Sequence, residues 1–383
     1  MKGNILVINA HDLNCGAGIS CAITLEILAD AGYNIIHIAR FKGKIEQRLL
    51  KKGIPTIYCD FPGWYPQAIN GTKMSIFKRI RYFQHSLRTD IKSTSTLCKK
   101  LKSLNFHPDI IYTNTILWPQ GLHLAHIYNI PHIYHIREYG YADFNMYFAF
   151  GERLSSFVAR KYTVKALCIS KGVLSTWNKF FGGKVELLYN GVPNNNTKFV
   201  RHKFDGYNLR IVIVGRLSKE KGQEFVIRRL AEIRKKTECN IYLDLYGTGV
   251  DEEKLRNIVT ELKLSDCVNF CGFSDNIDYT RYHIAIMSSL SEGFGRTTVE
   301  YMLNSVPVIG YNGGATPELL KDKYTGRLYN NSKQFDTCVI DALNTYSDYE
   351  RYAKKAFEYA YENYTINVYK RNILQCFNKI TKK

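Results

Sequence analysis

No apolar run in the 383 residues approaches the roughly 18 to 20 uncharged positions that a membrane span requires. The opening MKGNILVINAHDLN reads as a strand running into a polar turn, not as a secretory leader. Cysteine occurs ten times without paired spacing, and its closest pair, Cys267 and Cys271, has no His or Cys partners nearby at zinc-like spacing. Reduced core thiols in a cytoplasmic protein are therefore expected. No Asp-x-Asp triplet is present, so no metal site is expected. Acidic residues are also scarce: 34 Asp and Glu stand against 53 Lys and Arg, for a net charge of +19.

That imbalance lies mostly in the first half. Residues 1–200 carry 25 basic and 11 acidic side chains, a balance of +14, and residues 201–383 carry 28 and 23, a balance of +5. The segment Lys73 to Lys102 holds nine basic residues and one acidic, interleaved with Ile76, Phe77, Ile80, Phe83, Leu87 and Ile91. Apolar spacings of three and four predict a basic amphipathic helix. Such a helix is either a solvated face beside an ordinary core stripe or a surface for anionic lipid headgroups. Nucleic acid is not favoured, because no recognisable binding module accompanies the charge.

What the chain does have is a regular alternation. Short, β-branched apolar runs (NILVINA, NIIHIARF, PTIYCDF, DIIYTNT, PHIYHIR, ALCIS, VELLYN) alternate with longer amphipathic stretches. The pattern restarts near Leu209 with LRIVIVGRL, IYLDLYG, VNFCGF, IAIMSS and PVIGYN. Runs of this length joined by helical segments predict parallel sheets covered on both faces. The polar stretch NNNTKFVRHKFDGYN separates the two series. Two doubly wound domains facing each other across a cleft are expected, residues 1–195 and 196–364, with a C-terminal helix over about 365–383 packing back on the first. Ligands in such sheets bind beyond the carboxyl ends of the strands.

Three loops at predicted strand ends carry candidate chemistry. After NILVINA, Gly16, Ala17 and Gly18 let backbone amides approach a phosphate or sugar at a helix start. A dinucleotide fingerprint would want glycine where Cys21 stands and an acid where Arg40 stands, which weakens a nicotinamide-dependent oxidoreductase. In VGRLSKEKG, Gly215 ends a strand and is followed by Arg216 and Lys221, two cations suited to a diphosphate. In SEGFGRTTVEYML, Glu292 precedes a turn through Gly293, Phe294 and Gly295, and a helix is expected from Arg296 to Asn304. The unpaired amides of Arg296 and Thr297 suit an anion. Glu300 lies about one turn inside that helix, so the two carboxylates cannot share a proton and should hold different parts of one extended ligand.

EGFGRTTVE resembles the E-x7-E motif of the retaining glycosyltransferases of family 4, and VGRLSKEKG, YGTG, VNFCGF, GGATPEL and YNGVP resemble the same family in the right order. The likeness covers the second domain and is looser in the first, where it rests on GAGIS, PHIYHIREYG and CISKGV. It implies the GT-B fold and a nucleotide-sugar donor, UDP- or GDP-linked, with no cofactor or metal. By position it implies that Arg216 and Lys221 bind the donor diphosphate with the amides at the helix start, that Glu292 holds hydroxyls of the transferred sugar, and that Glu300 holds the ribose. His135 would lie near the sugar's 6-position, with Arg137 and Glu138 in support. The basic first domain implies a glycan or lipid-linked glycan acceptor and an anionic membrane surface met through residues 73–102, on the inner face of the plasma membrane. A sugar-nucleotide epimerase or phosphorylase of the same fold is the nearest alternative.

Overall fold

The computed structural model describes residues 2–63, 75–140, 147–148 and 151–381. The chain divides into two compact units, Met1–Gly191 with Tyr369–Lys383, and Val192–Val368.

Unit 1 is a seven-stranded parallel sheet in the order β3-β2-β1-β4-β5-β6-β7. Its strands are β1 (Asn4–Asn9), β2 (Asn34–Ala39), β3 (Thr56–Tyr58), β4 (Ile110–Asn114), β5 (His132–Ile136), β6 (Thr163–Cys168) and β7 (Val185–Leu187). Between them run α1 (Gly16–Asp30), α2 (Lys44–Leu50), α3 (Ile76–Ser103), α4 (Gln120–Tyr128), α5 (Glu152–Tyr162) and α6 (Lys171–Phe181). Because helices cover both faces, the central strands are buried along nearly their whole length: Ile5, Leu6, Val7 and Ile8 on β1 are all fully buried. Ile5 pairs in register with Ile35 on one side and Ile110 on the other.

Unit 2 repeats the plan with six parallel strands in the order β10-β9-β8-β11-β12-β13. These are β8 (Asn208–Val214), β9 (Asn240–Tyr246), β10 (Val268–Gly272), β11 (Ile284–Met287), β12 (Val308–Tyr311) and β13 (Arg327–Tyr329). The helices are α7 (Gln223–Arg234), α8 (Glu252–Glu261), α9 (Arg296–Leu303), α10 (Thr316–Leu319), α11 (Ser332–Asn344) and α12 (Tyr346–Tyr364). The sixth strand, β13, was not among the predicted runs: it is three residues long and contains an arginine. Arg327 is tolerated there because Asp341 pairs with its guanidinium at 2.8 Å and Asp322 at 3.3 Å.

A last helix, α13 (Ile366–Thr381), carries the chain from unit 2 back into unit 1. Tyr369, Ile373, Cys376 and Phe377 are buried there. The Tyr369 hydroxyl lies 2.6 Å from Thr24 Oγ1, and Phe377 packs against Tyr33 and Tyr112. In each sheet the strand order reverses once, between β1 and β4 and between β8 and β11. Loops diverge at such a reversal and leave a crevice beyond the strand ends, so these two points are where ligand groups are to be sought.

The basic amphipathic helix forms as α3. It starts at Ile76 behind Ser75, whose hydroxyl accepts from the Lys78 amide. Lys73 and Met74, at the start of the predicted segment, lie outside the described residues.

Candidate functional site

At the reversal in unit 2, two loops are strapped together. β8 ends with the Val214 amide donating to the hydroxyl of Tyr301 on α9, at 2.7 Å, which fixes α9 against the strand end. The following loop closes in a short 3-10 turn, Lys219–Lys221, and leaves it at Gly222. Gly222 has φ of 72°, and a Cβ there would come within 2.4 Å of the Ser288 carbonyl, so the position requires glycine on both counts. Ser288 in turn donates its hydroxyl to the Lys221 carbonyl at 2.7 Å. The loop after β8 and the loop after β11 therefore move as one piece.

This strapping places Lys221 on Glu292. The Lys221 ammonium and the Glu292 carboxylate form an ion pair, although 71 positions separate them in the chain. Gly215, Lys221, Glu292 and Thr297 line one small recess. Glu292 is itself held from behind: its carbonyl accepts from the Ala315 amide at 2.8 Å, and Gly314, with φ of 55°, approaches so closely that a Cβ would meet the Glu292 amide at 2.5 Å. The GGATPEL segment was legible only as a family likeness, and its task of backing Glu292 was not.

The turn between the glutamates divides its labour. Gly295 takes the left-handed conformation, φ 87°, just before α9. The Phe294 ring is buried edge-on against Tyr364, 5.7 Å between centroids, so it anchors the turn and leaves only its backbone to a ligand. Gly293, Arg296 and Thr297 are partly exposed at the helix start. Glu300 is half-buried on α9. Burial pushes its carboxyl above the usual range, with the charge of Arg296 opposing the shift. Arg216, expected beside Lys221, instead points its guanidinium to Glu220 at 2.6 Å on the surface. The structure thus brings Gly215, Lys221, Glu292 and Thr297 together and leaves the Arg216 guanidinium turned aside.

In unit 1, Gly16, Ala17 and Gly18 are not a turn before a helix but the first residues of α1. Gly18 packs so tightly that a Cβ would lie 1.9 Å from the Asp12 carbonyl. His135 is also corrected: it does not face an open site. It is fully buried on β5, with Nδ1 2.6 Å from the Tyr112 hydroxyl. Burial, reinforced by Arg137, keeps its imidazole neutral far below the usual histidine range. The two residues that follow β5 do more than support. Arg137 is buried and donates to Asn114 Oδ1 and Asn190 Oδ1, each at 2.6 Å. Glu138 accepts from the amides of Ile116 at 2.7 Å and Arg137 at 3.0 Å, tying the loop after β4 to the end of β5. Asn114 closes the network on Asn9 at 3.0 Å. Asparagines ending two predicted strands were the available signal for it.

Residues 194–359 match the family model described as glycosyl transferases group 1. A poly(glycerol-phosphate) alpha-glucosyltransferase of Bacillus subtilis is 27% identical over 177 residues, 45% of this chain and 26% of that enzyme. The chain therefore spans about a quarter of that relative's length. An uncharacterized glycosyltransferase of Haemophilus influenzae is 24% identical over 313 residues, 78% of this chain and 85% of its own. Among solved structures, Anabaena HepE in complex with UDP-glucose superposes with a TM-score of 0.75 over 98% of this chain and 100% of its own, at 19% identity. The fold is that of the GT-B glycosyltransferases, and it is the second unit that resembles glycosyl transferases group 1.

Proposed function

We propose that the chain is a retaining, metal-independent hexosyltransferase of family 4. It moves a sugar from a UDP- or GDP-linked donor to a hydroxyl of a growing, lipid-linked cell-surface glycan, at the inner face of the plasma membrane. The observation that carries this reading is the convergence of Lys221, Glu292 and Thr297 with Gly215 at the strand reversal of unit 2. The glucosyltransferase named for B. subtilis and the UDP-glucose bound to HepE support the donor class.

The chemistry follows from the ion pair. The Lys221–Glu292 pair is partly buried and opens on the recess, so it is parted only when a second anion takes the place of the carboxylate. A donor diphosphate brings more negative charge than one carboxylate, so it draws Lys221 to itself and frees Glu292 to accept hydrogen bonds from the hydroxyls of the sugar. Arg216 leaves Glu220 for the same phosphates, and the amides opening α9 complete the cradle. As the glycosidic bond breaks, the leaving diphosphate gains charge, and the cations now on it stabilise that change more than they stabilise the bound donor. Glu300 accepts from the ribose hydroxyls. The acceptor hydroxyl attacks from the face the diphosphate has just left, giving retention.

The test is product analysis with a panel of UDP- and GDP-sugars and a water-soluble glycan acceptor. An α-linked donor should give an α-linked product by NMR couplings. A β product, or a new sugar nucleotide formed without any acceptor, would falsify the proposal, the second outcome pointing to an epimerase.

A further inference from the structure

α3 carries more apolar surface than its own core uses. Ser86, Asp90, Leu97 and Leu101 face inward, whereas Phe77, Ile80, Leu87 and Ile91 are exposed, Phe77 by 77%. Their spacings of three, seven and four put them on one stripe of the helix. Each is followed directly by a cation: Lys78, Arg81, Arg88 and Lys92. One residue of helix is about 100° of rotation, so a basic row runs parallel to the apolar stripe, on the side away from the core. All four cations are exposed.

The stripe opens into a groove of about 230 Å³ between α3, α4 and α5. Its walls are Phe83 and Leu87 from α3, Pro119 ahead of α4, and Leu154 and Val158 from α5. Leu154 and Phe157 stand exposed at the rim, Phe157 by 64%. Two polar features line the groove. Asp90 contacts His123 and accepts from Gln120 at 2.8 Å, so its carboxylate is held from within the protein. Ser155 is 2% exposed, and among the described residues its hydroxyl has no hydrogen-bond partner. Isolated exposed apolar side chains need no explanation, but a stripe that continues into a groove and is edged by a row of one charge does.

We propose that this groove seats a hydrocarbon chain of an anionic membrane lipid, whose headgroup meets the row Lys78, Arg81, Arg88 and Lys92. Charge complementarity selects the occupant: an amphipathic surface with cations beside its apolar stripe matches the boundary between acyl chains and anionic headgroups. The inference names the lipid-facing surface that the lipid-linked acceptor proposed above requires, and it rests on that reading.

Two probes test it, a dansyl-labelled fatty acid and vesicles of phosphatidylcholine with or without phosphatidylglycerol. The fatty acid should bind the wild type with a rise in dansyl emission. Val158→Phe, which narrows the groove from its half-buried wall, should weaken that binding by about tenfold or more, the equivalent of some two methylenes expelled. The wild type should float with phosphatidylglycerol vesicles, and Phe157→Ser with Ile80→Ser, both exposed and so harmless to folding, should abolish flotation although no charge has changed. Undiminished fatty-acid binding by Val158→Phe, or undiminished flotation of the serine variant, overturns the proposal. Transfer to the water-soluble acceptor separates the two readings: normal transfer without lipid binding defeats the groove alone, and lipid binding without any transfer defeats the enzyme assignment alone.

Discussion

Both units carry charged side chains in the loops that follow their central strands, yet they dispose of the charge in opposite ways. In unit 1 the Arg137 guanidinium is buried and held by neutral acceptors, Asn114 and Asn190, in a network that also reaches Asn9. In unit 2 the Lys221 ammonium sits on a loop and is held by one carboxylate, Glu292. A buried cation among neutral acceptors is a fixed element, because removing any member leaves its partners unpaired. An ion pair that opens on a recess can be exchanged, because an incoming anion replaces the carboxylate as the partner of the ammonium. The difference teaches that the same sheet plan serves as a rigid frame in one unit and as an exchangeable anion site in the other.

The largest expected effect tests the exchangeable site. Lys221→Ala should lower turnover several hundredfold or more, since a preorganised charge acting on a developing anion is worth about 3 to 4 kcal/mol. Turnover with the preferred nucleotide sugar near the wild-type value would remove unit 2's distinction. Next comes the frame. Arg137→Met should destabilise the protein by about 1 to 3 kcal/mol for each acceptor left orphaned. Thermal melting should show this, and an unchanged or raised melting temperature would mean that the network is not the fixed element described.

A smaller effect has a sign that can be worked out. Glu300 has its carboxyl raised by burial, so the ionised form is disfavoured in the folded chain relative to the unfolded one. Its contribution to stability is full below the ordinary carboxyl range and is lost as pH rises through the folded value. Glu300→Gln should therefore raise the melting temperature of the ligand-free protein at neutral pH, with the gain vanishing under acid, while the donor Michaelis constant rises. A lower melting temperature at neutral pH would contradict the burial argument. The smallest expected effect is none: turnover should be the same with excess EDTA, because Lys221 and the start of α9 supply the charge a divalent ion would otherwise bring. Full loss of activity on chelation would break that account.

Most of the architecture was legible because parallel strands covered on both faces are continuous apolar runs, and those runs announce themselves. The same property hid the orientation of His135. All five residues of β5 are buried, so the alternation that would tell inward from outward is missing, and a histidine there reads equally well either way. The identities of Lys221, Glu292 and Glu300 were readable from motif spacing. Their pairing was not, since Lys221 and Glu292 meet only after the loops following β8 and β11 are strapped through Ser288. Arg137 and Glu138 stand out in PHIYHIREYG, but their partners Asn114, Asn190 and the Ile116 amide come from separate segments that only the sheet order brings together.

The excursion of the chain through α13 has a consequence for biosynthesis. Tyr369, Ile373 and Phe377 fill the core of unit 1, yet they follow the whole of unit 2 in the chain. At synthesis rates of about 5 to 20 residues per second, the ribosome needs on the order of ten to forty seconds to make unit 2. Throughout that interval Tyr33 and Tyr112 lack the Phe377 ring that will cover them. Unit 2 can therefore fold before unit 1 is complete, although unit 1 begins first, and the nascent first half presents an unfilled apolar seam to chaperones until the last helix emerges.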